Sequence, residues 1–373
     1  MPQLIRNPEG KPDPATGRGS ASRFVVFLTG VICYHLKESS RLGPMRTGGP
    51  ARVDARFDAS WWHKFYGIDF DETYVRSEPH HRAVLEGKMR RVLYERFGSV
   101  GLGDKSSEPV PMISTHMVPL CYLVGEVLGC RAFFAAGSTP CIIPNRLSPA
   151  QLEALEPPDV LNTPVMQKLA ADMDARERGY GSVIGDLNPQ GVLNNAMCVG
   201  DAELFVLFLQ NPPAACRLLR VVTDTMIQIV RFIRQRTGTS PEAVTNIVEQ
   251  INPALFVTSN CSTTMISPRT YREFLLEFDR ALADALPPFG IHHCGLDLAR
   301  LASEYRKVRG LEFLEVGWGS DVVAVRRLFP DTHRNVRATR TCAMQRGFYL
   351  RDQKPINRSF RETANEDFRG SLK

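Results

Sequence analysis

The chain has 373 residues, 43% apolar and 23% charged, with a formal net charge of +6. That is the composition of a soluble globular protein, with material for one large α/β domain or two medium ones. The basic residues are spread along the chain rather than clustered, so charge gives no argument for a nucleic-acid partner.

Nine cysteines are scattered, no CxxC occurs and no secretory signal precedes them. Reduced thiols in a cytoplasmic protein are expected, most of them small core residues, rather than a disulfide framework. The most apolar early stretch runs only from Phe24 to Leu36. A bilayer span takes ~20 apolar residues, so no membrane partner is expected.

In chain order, residues 1–50 are rich in Gly, Pro, Ser and Arg and read as a flexible extension. The folded part begins near the aromatic segment around Trp61 and Trp62 and runs to residue 342. Val110–Met117 reads as a strand, the segment after Pro119 as a helix, and Cys130–Ala136 as another strand. Ser148-Pro149 opens a helix, and Thr163-Pro164 opens a longer amphipathic one. Tyr180–Pro189 reads as a strand ending in a turn, and Asn211–Gly238 as a long helix closed by its glycine. The stretch up to Cys261 is extended or mixed. Ser267 then caps a helix whose Tyr271, Phe274, Leu275, Phe278 and Leu282 recur along one face. Strands are expected at Phe289–Cys294, Leu311–Gly317 and His333–Thr341, with helices between them.

Alternating helices and strands without hairpin turns predict an α/β fold with a parallel sheet, open or closed into a (β/α)8 TIM-type barrel. Residues 343–373 lack either periodicity and read as an irregular tail. No eighth strand follows the seventh, so an early segment completes the ring or the last unit is incomplete.

The segment Phe289–Gly295, FGIHHCG, holds the densest chemistry. Side chains alternate along a strand, so His292 and Cys294 point to one side and His293 to the other. An imidazole and a thiol aimed at one point are two zinc ligands, and a catalytic zinc typically takes three from protein. Cys342, Cys261 and His116 are candidates for the third. The competing reading makes His292 a hydrogen-bonded core residue and Cys294 filler. Candidates for substrate binding are Trp62 as an aromatic wall, His116, Asp186 and Asn188 after a strand, and Asn260. For Trp62 the alternative is packing against the core; for the polar pair it is an ordinary turn. Gln190 and Asn194 share that turn. Neither a GxGxxG after a strand, a GxxxxGK[ST] loop nor a GxSxG elbow is present.

The order SNCSTTMISPRTYREFLLEFDRAL, GIHHCG, GLEFLEVGWGSDVVAVRRLFPDTHRNVR resembles the uroporphyrinogen decarboxylase superfamily over residues 55–340. The resemblance implies a (β/α)8 barrel. The true decarboxylases carry an N-terminal R-x-P-x-W-x-M-R-Q-A-G-R segment, where this chain reads ARFDASWWHKFYGIDF without the arginine pair. The corrinoid-dependent methyltransferase branch instead holds zinc with an H-x-C pair, here His292 and Cys294, and a later cysteine, for which Cys342 is a substitute by type. The resemblance thus implies a zinc-dependent methyltransferase moving a methyl group between a corrinoid and a thiol or similar acceptor. Small-molecule or corrinoid-protein substrates are the implied partners. Decarboxylation of a tetrapyrrole carboxylate is the second expectation, and a non-catalytic barrel binding a corrinoid or a partner protein the third.

Overall fold

The computed structural model describes residues 32–36, 52–55, 57, 59–98, 103–114, 121–135, 137–239, 252–295, 297–317 and 319–338. In chain order the elements are β1 (Ile32–Leu36), β2 (Arg52–Ala55), α1 (Ala59–Tyr66), α2 (Glu72–Val75), α3 (Pro79–Phe97) and α4 (Leu123–Val127). Next come β3 (Arg131–Phe133), β4 (Cys141–Ile143), α5 (Pro149–Glu153), α6 (Pro164–Tyr180), α7 (Val192–Gly200), α8 (Glu203–Gln210) and α9 (Pro212–Thr237). The last part holds β5 (Phe256–Ser259), α10 (Pro268–Thr270), α11 (Leu276–Ala285), β6 (Phe289–His293), α12 (Ala299–Tyr305), β7 (Leu311–Val316), α13 (Val322–Leu328) and β8 (His333–Ala338).

The main sheet has six strands in the order β2-β1-β8-β7-β6-β5. β5 to β8 run parallel with a helix in each connection, the α/β pattern expected from the sequence. β1, from the stretch read as a loose extension, joins antiparallel to β8 and carries β2 on its other edge.

Two expected strands are absent as such among the described residues, which include only 110–114 of the first. Val110–Met117 and Tyr180–Pro189 meet only through one parallel bridge, Met112 to Ile184. Cys130–Ala136 shrinks to β3, which pairs antiparallel with β4 in a separate two-stranded sheet. It carries a half-exposed Phe133, so its short apolar run covers an edge instead of filling a ring. Among the described residues the hydrogen bonding therefore does not close a TIM-type barrel.

The helix boundaries follow their local chemistry. Ser148 accepts from Gln151 N while Gln151 Oε1 accepts from Ser148 N, a capping box. Ser267 accepts from Thr270 N at 3.0 Å as expected. Thr163 occupies the N-cap of α6, but its hydroxyl donates backward to Val160 O instead. Gly238 ends α9 at φ 67°, the left-handed turn that glycine takes without steric cost. Between α10 and α11 a π-helical turn, Tyr271–Leu275, keeps Tyr271, Leu275, Phe278 and Leu282 on the buried face.

α9 is the centre of the helical layer, with Leu218, Leu219, Val222, Met226, Ile229, Val230 and Ile233 all buried. β5 and β6 are buried at every position, so the polar residues they carry, Thr258, Ser259, His292 and His293, need partners inside the fold. No single helix among the described residues is long and apolar enough to cross a membrane.

Candidate metal centre

Strand register builds the site. Ser259 on β5 pairs with His292 on β6, and His292 pairs with Glu315 on β7. Paired residues on parallel strands share a face, so His292 and Glu315 project together. Two residues beyond the first pair lie Cys261 and Cys294, brought side by side by the same register. Their Sγ atoms are 2.9 Å apart and both are free thiols. One ligand atom from each of Cys261, His292 and Cys294 lies within 4.8 Å of the other two.

His292 is 2% exposed and Glu315 fully buried. The imidazole Nδ1 meets Glu315 Oε2 in a short hydrogen bond. Burial disfavours the imidazolium, yet Glu315 and Cys294 outweigh it and lift the ring to about 10. With Nδ1 committed to the carboxylate, Nε2 is the nitrogen left for a ligand bond, the carboxylate–histidine arrangement that orients metal-bound imidazoles.

His293 takes the opposite face, as the alternation requires. Its Nδ1 is 2.9 Å from Tyr305 Oη, which is 2.9 Å from Thr263 Oγ1, whose hydroxyl donates to Asn260 O at 2.6 Å. Because Thr263 spends its proton on Asn260, Tyr305 donates to Thr263 and His293 donates from Nδ1 to Tyr305. Asn260 Nδ2 in turn donates to Asp279 Oδ2 at 2.6 Å, and Tyr271 donates to the same oxygen at 2.5 Å. Burial raises Asp279 to about 6 against the two hydrogen bonds that favour its charge. This buried network fixes the Asn260-Cys261 turn from behind.

Two close approaches fix it from the front. A Cβ on Gly317 would lie 1.9 Å from Gly295 O and 2.7 Å from His293 O, so the chain leaving β7 presses directly on the chain leaving β6. A Cβ on Gly191 would lie 2.2 Å from Ser259 O. Asn194 on α7 then accepts from Ser262 N at 3.1 Å, holding the Cys261–Met265 turn.

The sequence-derived candidates divide accordingly. Cys261, His292 and Cys294 converge; Cys342 and His116 lie outside the described residues. Trp62 is wholly buried, with its ring 4.8 Å from Trp61 and 5.3 Å from Tyr66, which makes it core and not an accessible wall. Asp186 and Asn188 are also buried. Ser114 Oγ donates to Asp186 Oδ2 at 3.0 Å, and Asn188 Oδ1 accepts from Gln190 N and Ser259 Oγ. They stitch strand-end loops together, as Asn260 does through Asp279. Glu315 escaped the sequence reading; its signal was the second acid of the strand LEFLEV, flanked by Leu314 and Val316 beside the His-x-Cys strand.

Two thiols and an imidazole form a soft donor set that suits zinc, and three protein ligands leave a fourth position for a substrate. The buried Glu315 supplies the outer support such a site uses. The residues present therefore fit the metal.

No family model and no curated protein matches the chain. Among solved structures it is similar to a methyltransferase from Methanosarcina mazei, with TM-score 0.48 and 14% identity over 74% of this chain and 73% of that one.

Proposed function

We propose that the protein is a zinc-dependent methyltransferase that moves a methyl group between a corrinoid and a thiol. The observation that carries the metal part is the convergence of Cys261, His292 and Cys294 with Glu315 behind the imidazole. The corrinoid and the thiol rest on the sequence resemblance.

Bound zinc supplies the positive charge that lowers the pKa of an incoming thiol toward neutrality. The chain's own residues do the rest. Cys261 and Cys294 are half-buried while His292 is enclosed, so the open side of the site is the sulfur side. Glu315 holds the proton on Nδ1 and keeps Nε2 directed at the metal. The His293–Tyr305–Thr263–Asn260 chain holds the turn that carries Cys261, so the three donors stay preorganised. The net reaction replaces the acceptor's S–H by S–CH3 and releases one proton, while the bond that held the methyl group breaks with its electron pair left on the corrinoid.

Metal analysis of purified protein tests the first part, with one zinc per chain expected and its loss in Cys294→Ala. Methyl transfer from methylcobalamin to a small thiol tests the second. Full transfer by zinc-free protein overturns the reading.

A further inference from the structure

Away from the metal centre, α3 and α6 bury two guanidinium groups against one carboxylate. Arg82 is 4% exposed and Arg176 wholly buried. Arg82 Nη2 donates to Asp172 Oδ2 at 2.6 Å, and Lys168 Nζ reaches Asp172 Oδ1 at 3.3 Å. Arg176 Nη1 donates only to the main-chain oxygen of Asp172, at 3.0 Å. The carboxylate of Asp172 thus serves two cations, and Arg176 is left with its main-chain oxygen.

The accounting leaves donors over. Arg82 Nε, Arg176 Nε and Arg176 Nη2 are buried without a hydrogen-bond partner. Leaving such buried donors unpaired is unfavourable, the more so when they belong to a charged side chain. The strain shows on Arg176, which burial and the neighbouring Arg82 charge bring down to about 10.

Of the two guanidinium groups, Arg82 borders a space. Arg82, Lys168 and Asp172 line a small, open-sided cleft of about 40 Å³, flanked by Arg76, Tyr122 and Glu126. Glu126 does not balance the excess: Arg76 takes its Oε1 at 3.1 Å, its Oε2 is buried without a partner, and burial raises its pKa. A concave space lined by three cations, Arg76, Arg82 and Lys168, against two carboxyl groups, with Arg82 Nε buried and unpartnered, is complementary to an oxyanion, which guanidinium forks bind in plane.

We propose that this cleft is a binding site for a small oxyanion, the carboxylate or phosphate group of a small molecule, held by Arg82 and Lys168 with Arg176 reinforcing the positive field behind them. It shares no residue with the metal centre and does not depend on the function proposed there.

The full-length protein, titrated calorimetrically with sodium phosphate and separately with sodium acetate at ionic strength held constant with sodium chloride, tests this. Saturable one-site binding of at least one anion is expected, and which one binds identifies the ligand group. Lys168→Gln removes a half-exposed side chain, so its fold is kept, and it should weaken the dissociation constant roughly tenfold, about 1.4 kcal/mol. Arg82→Gln, checked for folding by circular dichroism, should abolish saturation. No saturable binding of either anion, or an unchanged dissociation constant in Lys168→Gln, overturns the proposal.

Discussion

His292 and Glu315 stand opposite each other on β6 and β7, and the imidazole Nδ1 of one meets the carboxylate of the other inside the sheet. That contact decides which ring nitrogen faces the thiols. Glu315→Gln keeps the shape but loses the charge, so zinc should bind ~10–100-fold more weakly. Competition against a chromogenic chelator measures this, and equal affinity in the variant would count against the contact as a metal support.

The third ligand can be assigned directly. Cys261→Ala should lose zinc as fully as Cys294→Ala does, whereas Cys342→Ala should retain the wild-type stoichiometry. Zinc retained in Cys261→Ala and lost in Cys342→Ala would move the third ligand to Cys342.

Asp279 gives a pH signature. Its folded-state pKa is raised to about 6 from an ordinary 3.8, so the native chain binds the proton more tightly than the unfolded one. The stabilisation is complete below the unfolded value and is lost as pH rises through the folded one. Stability should therefore fall by on the order of 3 kcal/mol between pH ~4 and ~6 from this residue. Asp279→Asn, compared with wild type by urea unfolding across that window, should flatten this part of the curve; parallel curves would refute it.

Gly317→Ala tests the front of the site. The added methyl would sit 1.9 Å from a backbone oxygen with no flexible side chain to yield. A loss of about 3 kcal/mol or more is expected, because backbone must shift. Thermal unfolding reads it, and a melting temperature within a degree of wild type would show that the two loops are not in contact.

How far the sequence led is clearest at particular residues. Ser267, Gly238 and the strand FGIHHCG are legible because caps, left-handed glycines and alternation are local effects, fixed within a few residues. Cys261 beside Cys294 depends on the register of two strands separated by two helical segments, so sequence offered it only as one of several candidates. Glu315 was missed because an acid in an apolar strand acquires meaning only from the neighbour that register sets opposite. Trp62 and Asp186 illustrate the reverse. Each has the side chain of a binding residue, and burial assigns it to packing or to joining loops. β3 failed as a core strand because a short apolar run does not reveal which sheet receives it.

Because β5, β6 and β7 are adjacent, every donor and its main support comes from a single stretch of about sixty residues, from Phe256 to Val316. The candidate donor set is thereby carried by one contiguous part of the chain, so substitutions along α3, α4 or α6 leave its residues untouched.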